Sequence, residues 1–322
     1  MNGEREVKNM QIQIPEILSA KPFVKWVGGK RQLLTDIDRS LPQGFAQRRG
    51  VTYVEPFVGG GAVLFYLLST YHEVIDRVLI NDINPRLVST YRAVKNDPEK
   101  LISLLRQIQS EYDALTDESG KKDYFLRMRK RFNEGEKSDT ETAALLIFLN
   151  RTCFNGLYRV NSKGEFNVPF GRYARPQICD EETLRADSNC LQRVEITCGD
   201  FEAVESDIPG DGLVYIDPPY RPLDATSSFT AYASDGFNDG DQIRLKNFVD
   251  RLSARGCHVM LSNSDGSGKN PDDRFFDNLY TGYLLHRVQA KRSVSANAAK
   301  RGRLTELLIT NYPTKEDSRI DG

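Results

Sequence analysis

Histidine, tryptophan and paired cysteine are all scarce in this chain of 322 residues. Its three histidines (His72, His258, His286) are far apart, and its five cysteines (Cys153, Cys179, Cys190, Cys198, Cys257) form no C-x-x-C pair. That spacing gives no ground for a metal site, and an odd cysteine count without a secretory pattern fits reduced thiols in a cytoplasm. Long apolar runs are missing too. The longest, at 143–149, is far too short to span a bilayer, and residues 1–20 have no apolar stretch of the signal-peptide kind. A cytoplasmic, non-exported protein is expected. Charge of one sign is equally lacking: 44 Lys and Arg stand against 45 Asp and Glu, a formal charge of -1, and the pI is about 6.4. Any polyanion must therefore meet a local patch rather than the field of the whole molecule.

What is present is a globular composition, 39% hydrophobic and 10% aromatic, enough for one large core or two ordinary ones. Short apolar runs at 51–54 and 78–80, and again at 194–197, 213–216, 258–261, 283–288 and 304–309, read as buried strands. Helical patterns at 62–69 and 242–253 alternate with them. From 86 to 189 the composition changes. Charge-rich helical segments (87–112, 124–132, 140–150) give way to a loop in which Asn, Gly, Pro and Arg are interleaved with aromatics. The reading is an α/β sheet domain split by an insert: a loose tail at 1–20, a first sheet part at 21–85, the insert at 86–189, a second sheet part at 190–313 and a tail at 314–322.

Four strings carry chemistry. VEPFVGGG sets Glu55, Phe57, Gly59, Gly60 and Gly61 between a strand and a helix, where glycines let the backbone approach a ligand. Asp82 ends the next apolar run about 20 residues on, suited to accept hydrogen bonds from both hydroxyls of a ribose. Together they indicate a nucleoside cofactor. No phosphate-binding fingerprint accompanies them, which favours a cofactor without a pyrophosphate over a nicotinamide dinucleotide. LVYIDPPY runs a strand directly into Asp217, Pro218, Pro219 and Tyr220. The carboxylate can accept from an exocyclic amine, the stiff Pro-Pro backbone can hold the Pro218 carbonyl as a second acceptor, and the tyrosine ring can stack on a base. FVKWVGGK brings Trp26 and Lys30 together with two glycines, and Asp200 and Phe201 follow the strand at 194–197.

These strings, in this order, resemble the Dam-type DNA adenine methyltransferases, the alpha group (D12 class) of amino-methyltransferases. The resemblance also takes in LNRTCFNGLYRVNSKGEFNVPFGRY at 149–173, SSFTAY at 227–232, LSNSD and TELLITNY, and spans most of residues 21–312. It implies a Rossmann-like S-adenosylmethionine-dependent methyltransferase sheet with an inserted helical and hairpin target-recognition domain. Trp26 and Lys30 are then expected to help bind S-adenosylmethionine, the turn from Glu55 through Phe57, Gly59 and Gly61 to wrap its methionine end, Asp82 to hold its ribose, and Asp200 and Phe201 to border its adenine. Asp217 is expected where the methyl donor meets the amine. Tyr220 would stack on a flipped base, because the amine of a paired adenine cannot reach a buried sulfonium.

The segment at 149–173 resembles the recognition hairpin of the branch that methylates adenine in 5'-GATC-3', which assigns base or phosphate contacts to Phe154, Asn155, Leu157, Arg159, Pro169 and Arg172. Arg is shaped to contact guanine with two hydrogen bonds, and Leu or Pro to press on a thymine methyl. Basic clusters at Lys121, Lys122, Arg127, Arg129, Lys130 and Arg131, at Arg172 and Arg175, and at Lys291, Arg292, Lys300, Arg301 and Arg303 are candidate phosphate contacts. Double-stranded DNA is the expected partner of a monomeric enzyme. A cognate restriction endonuclease in the same system and a solitary role both stay open. Competing readings are an amino-methyltransferase acting on RNA or on a protein glutamine, a nicotinamide dehydrogenase and a catalytically silent DNA-binding module. Asp rather than Asn at 217, together with the recognition segment, favours DNA adenine.

Overall fold

In a computed structural model, which describes residues 20–221, 237–268, 270, 272–290, 304–315 and 317, all seven apolar runs are strands. They are β1 (Val51–Glu55), β2 (Ile75–Asp82), β3 (Val194–Cys198), β4 (Leu213–Ile216), β5 (His258–Ser264), β6 (Leu284–Ala290) and β7 (Leu304–Thr310). One sheet contains them in the order β3-β2-β1-β4-β5-β7-β6. β1 to β5 are parallel, and β7 lies antiparallel between β5 and β6. The tail at 1–19, the SSFTAY string and the cluster from Lys291 to Arg303 lie outside the described residues, and no described helix is long and apolar enough to cross a membrane.

Alternating side chains of the central strands feed two cores, as strand geometry requires. Tyr53, Val78, Ile80, Tyr215 and Met260 face one side, Val54, Leu79, Val214, Ile216 and Leu261 the other. The first side carries α2 (Ala62–Thr70), α3 (Pro85–Asn96) and α7 (Glu181–Leu191), and the second α8 (Asp239–Ala254) and α9 (Phe275–Leu279). A short α1 (Leu34–Arg39) precedes the sheet.

The helical stretch read at 87–112 is two helices, α3 and α4 (Pro98–Asp113), because Pro98 has no N–H to continue the ladder and is well suited to the first helical position. α5 (Glu118–Asn133) and α6 (Asp139–Thr152) complete the insert. α6 is apolar on nearly every face because it packs among α3, α4 and α5. α3 and α7, which composition groups with the insert, also lie on the sheet side, so one hydrophobic cluster runs from sheet to insert.

The segment at 149–173 is an irregular ribbon rather than a laddered hairpin. Only two isolated bridges, Cys153 to Phe170 and Val160 to Phe166, cross it. Asn155, Gly156 and Arg172 have left-handed backbones, and Pro169 cannot donate, so a continuous ladder is interrupted.

α6 and α7 tie down the chain that leads into the sheet. The Lys21 amide donates to Asp187 Oδ1 (3.0 Å) and Arg151 Nη2 to the Phe23 carbonyl (3.1 Å). Asp187 is fully buried and its Oδ2 has no partner. Burial pushes its carboxyl from 3.8 up to about 8. Between those values the folded chain keeps a proton that the unfolded chain has lost, so this group lowers stability as pH rises through that window. Asp187→Asn should therefore gain stability relative to the natural chain as pH rises. Thermal melts at about pH 5 and about pH 8.5 should show the melting difference shifting in the variant's favour; a difference that does not change with pH would refute the assignment.

Candidate active site

The strand order reverses between β1 and β4, and the open C-terminal ends of these two neighbours form the crevice where parallel sheets bind ligands. The glycine turn leaves β1 there, and the DPPY string leaves β4. Asn81, almost wholly buried at the end of β2, donates to the carbonyls of Pro56 (3.1 Å) and Gly199 (2.9 Å) and so fixes the loops after β1 and β3 side by side.

Asp82 holds the glycine turn in place. Its Oδ2 accepts from the Gly59 amide (3.0 Å) and its Oδ1 from the Asn84 amide (2.9 Å). Burial raises its pKa, while those backbone donors pull it down. The glycines are required by their neighbours. A β-carbon on Gly60 would lie 2.9 Å from Trp26 Cβ, and one on Gly61 would lie 2.5 Å from the hydroxyl of Tyr91, at a backbone φ of 72°. Trp26 thus packs directly over the turn.

Glu55 ends β1 at the start of the glycine turn. It is 2% exposed, accepts from the Tyr53 hydroxyl, and is pushed up to about 8 by burial, with Asp217 adding to the rise. Phe57 stacks on Phe201 (5.2 Å between centroids), which is buried, and Arg244 covers the other ring at 4.5 Å. Asp200 pairs with Arg244 (2.8 Å) and caps the turn that follows it by accepting from the Glu202 amide. Ile83 is an apolar side chain that sequence reading passed over, left 72% exposed beside Asp82.

At β4 the carboxylate of Asp217 is anchored through one oxygen. Oδ1 accepts from Lys30 Nζ (2.8 Å) and from Ser262 Oγ (3.0 Å), and Ser262 is in turn 3.1 Å from the Tyr215 hydroxyl. Oδ2 takes part in neither bond. Lys30 is only 5% exposed; it also donates to the Gly28 carbonyl (2.6 Å) and sits 4.6 Å from the centre of the Tyr220 ring. Tyr220 donates to Glu306 on β7 (2.6 Å), and its burial beside Asp217 and Glu306 raises its phenol well above the ordinary value. Below the Pro-Pro step two fully buried amides clamp the loop. Gln242 donates to the Pro219 carbonyl (3.3 Å) and accepts from Asn263, whose Oδ1 accepts from the Arg221 amide. Ser262 and Asn263 stand in the LSNSD string, but their role shows only once β5 is placed beside β4.

The recognition residues occupy the ribbon. Phe154 is 51% exposed at its base, where its amide donates to the Pro169 carbonyl, with Asn155 beside it at a φ of 56°. Arg159 donates to Asn167 Oδ1 (2.7 Å) across the ribbon, Leu157 is half-buried, Pro169 is exposed, and Arg172 pairs with Glu118 (3.3 Å) at the surface. Much of the basic cluster of α5 is engaged within the fold. Arg131 pairs with Glu141, Lys130 with Glu134, Arg129 donates to the Val168 carbonyl, and Arg127 covers Tyr124.

A crevice with a glycine turn, a carboxylate beside it and no phosphate cradle suits a nucleoside sulfonium such as S-adenosylmethionine. Comparison with known proteins agrees. The description "D12 class N6 adenine-specific DNA methyltransferase" matches residues 26–294. The chain is 47% identical over 298 residues to the Type II methyltransferase M.MjaIII of Methanocaldococcus jannaschii, covering 92% of this chain and 100% of that protein. It is 39% identical to the Type II methyltransferase M1.LlaDCHI of Lactococcus lactis subsp. cremoris (92% and 96% covered) and 36% identical to a DNA adenine methylase of Vibrio cholerae (91% and 96% covered). With its sheet, its crevice and its motifs in agreement, the chain belongs to the D12 class of N6 adenine-specific DNA methyltransferases, enzymes that take their methyl group from S-adenosylmethionine.

Proposed function

We propose that the enzyme methylates the 6-amino nitrogen of adenine within 5'-GATC-3' in duplex DNA, by base flipping and direct in-line transfer with no covalent enzyme intermediate. The observation that carries the chemistry is the carboxylate of Asp217, held at Oδ1 by Lys30 and Ser262 at the end of β4 and still 24% exposed at the crevice. S-adenosylmethionine, when bound, supplies an electrophilic methyl on a sulfonium. Trp26, Lys30, the turn from Glu55 through Phe57 to Gly61 and Asp82 would hold it, with Asp200 and Phe201 along its adenine.

The target amine is a poor nucleophile because its lone pair is delocalised into the ring. Hydrogen bonds to Asp217 and to the Pro218 carbonyl would favour a pyramidal nitrogen and stabilise the positive charge that develops on it. Lys30, held against Asp217, Gly28 and Tyr220, keeps the acceptor and the stacking ring in one geometry. Pro219 stiffens that geometry through its bond to Gln242.

The choice of GATC rests on the likeness of residues 149–173 to the recognition segment of that branch and on the exposure of Phe154 and Arg159 along the ribbon. Phe154 is suited to enter the base stack beside Asn155, Arg159 to read a guanine edge, and Leu157 and Pro169 to meet a thymine methyl. Arg172, 74% exposed at the surface, would serve a phosphate or a base. The names of the M. jannaschii and L. lactis relatives favour a modification enzyme paired with a cognate endonuclease. A monomer in the cytoplasm is the form proposed.

Three outcomes test this. With labelled S-adenosylmethionine, label should enter the adenine of duplexes containing GATC and not of matched duplexes without it. Incorporation that ignores the site would remove GATC, and none into any adenine would remove the reading altogether. Asp217→Ala should lose about 100-fold or more in turnover while binding duplex, a loss typical of one charge-stabilising group; because that change also strands the Lys30 ammonium, Asp217→Asn serves as the folded control. Arg159→Ala should cost roughly 1–3 kcal/mol of discrimination at one base pair, read from relative kcat/KM on near-cognate duplexes. Unchanged discrimination would remove its base contact.

A further inference from the structure

The ribbon and the cofactor turn are joined by one packed path. Trp26, which lies over Gly59 and Gly60, stacks on Tyr158 of the ribbon with centroids 5.1 Å apart and planes 25° from parallel. Tyr158 in turn meets Phe166 on the ribbon's return arm (5.8 Å), and Phe166 is buried against Phe132. A single buried side chain locks the same two segments beside this stack. Asn150 accepts from the Lys25 amide and donates to the carbonyls of both Lys25 and Gly156, each at 2.8 Å. Gly156 takes a left-handed φ of 65°, and a β-carbon there would crowd Lys25 Cβ (3.0 Å) and the Asn150 carbonyl (3.3 Å). Tyr158 immediately precedes Arg159 in the chain. The base-reading candidate is therefore one peptide unit from the ring that touches Trp26.

We propose that this stack couples DNA on the ribbon to the cofactor crevice, and that Tyr158 is a positioning residue for methyl transfer. The proposal rests on reading the ribbon as the DNA-recognition segment. A duplex that seats Arg159 and Phe154 fixes the ribbon, the Asn150 clamp prevents the two segments from sliding, and the Tyr158 ring holds Trp26 down on the glycine turn. Lys30, four residues beyond Trp26 and already 2.8 Å from Asp217, is held there more firmly when this segment is fixed. Binding free energies are reciprocal, so cofactor must tighten DNA by the same factor by which DNA tightens cofactor.

The test uses the full chain, the wild-type substrate duplex, and S-adenosylhomocysteine, the demethylated product, as a probe that cannot react. For the natural protein and for Tyr158→Phe, which keeps the ring, duplex should tighten the probe by about tenfold, and probe should tighten duplex equally. In Tyr158→Leu both factors should fall to within about twofold of one, with duplex affinity in the absence of probe changed by less than about threefold. Tyr158→Met is read in the same way should the leucine variant melt early. Coupling retained in the leucine or methionine variant, lost in Tyr158→Phe or absent from the natural protein would overturn the proposal. Arg159→Ala separates the two ideas. If it discriminates among duplexes like the natural protein, the recognition reading fails and this proposal with it; if it loses discrimination while Tyr158→Leu keeps full coupling, the coupling alone fails.

Discussion

One buried charge organises this active site. An ammonium as enclosed as that of Lys30 is costly unless paired, and removing its partner commonly costs about 3–5 kcal/mol. Its partners come from three places in the chain: the carbonyl of Gly28 just before it, the carboxylate of Asp217 at the end of β4, and the ring of Tyr220. The segment ahead of the first strand is therefore drawn across the ends of β1 and β4, which puts Trp26 on the glycine turn and closes one side of the crevice. Had this charge been exposed, the entry segment would have little reason to lie there.

A second layer of constraint is neutral and polar. Ser262, Asn263 and Gln242 are fully buried, and each is committed to the loop that carries the acceptor. Buried amides without partners are destabilising, so a loop that moved away would leave several donors unmet at once. The DPPY string is stiff by its prolines and stiffer by this floor. Asn81 does the same service for the loops after β1 and β3. The loops after β1 and β3 and the loop after β4 are thus each fixed by buried side-chain amides, and the Lys30–Asp217 pair ties the entry segment to the last of them.

Strand runs were legible in the sequence because both faces of a parallel sheet are buried, which turns each strand into an apolar block such as LVYI at 213–216. The break at Pro98 was equally available to inspection, yet apolar spacing continues through it in α3 and α4, and periodicity alone hides a change of axis. Motifs located Asp82, Asp217 and Lys30, since each follows a strand or a glycine pair. Tyr158 and Asn150 left no such mark. Their partners, Trp26 and Lys25, are more than a hundred residues away in sequence, and nothing local distinguishes a ring that stacks across that distance from one that fills a core. The ribbon misled in the opposite sense: its glycines suggest a tight hairpin, whereas Pro169 and the left-handed Asn155 and Gly156 prevent the ladder.

The near balance of 44 basic and 45 acidic residues takes on a particular meaning against this architecture. Four cations of α5 that looked free for phosphates have partners in the protein: Lys130 has Glu134, Arg131 has Glu141, Arg127 lies over Tyr124 and Arg129 donates to the Val168 carbonyl. Among the described residues this leaves α5 with fewer cations free to displace counterions, which lowers that helix's share of any attraction to DNA of arbitrary sequence. Affinity for a cognate site would then draw more on contacts that only that site can complete. Such an enzyme gains most when site recognition also arranges the catalytic groups, because binding energy available only on the cognate site can be expressed in the transition state rather than in a uniformly tighter complex. A ribbon stacked on the residue that covers the cofactor turn is a physical arrangement suited to that use.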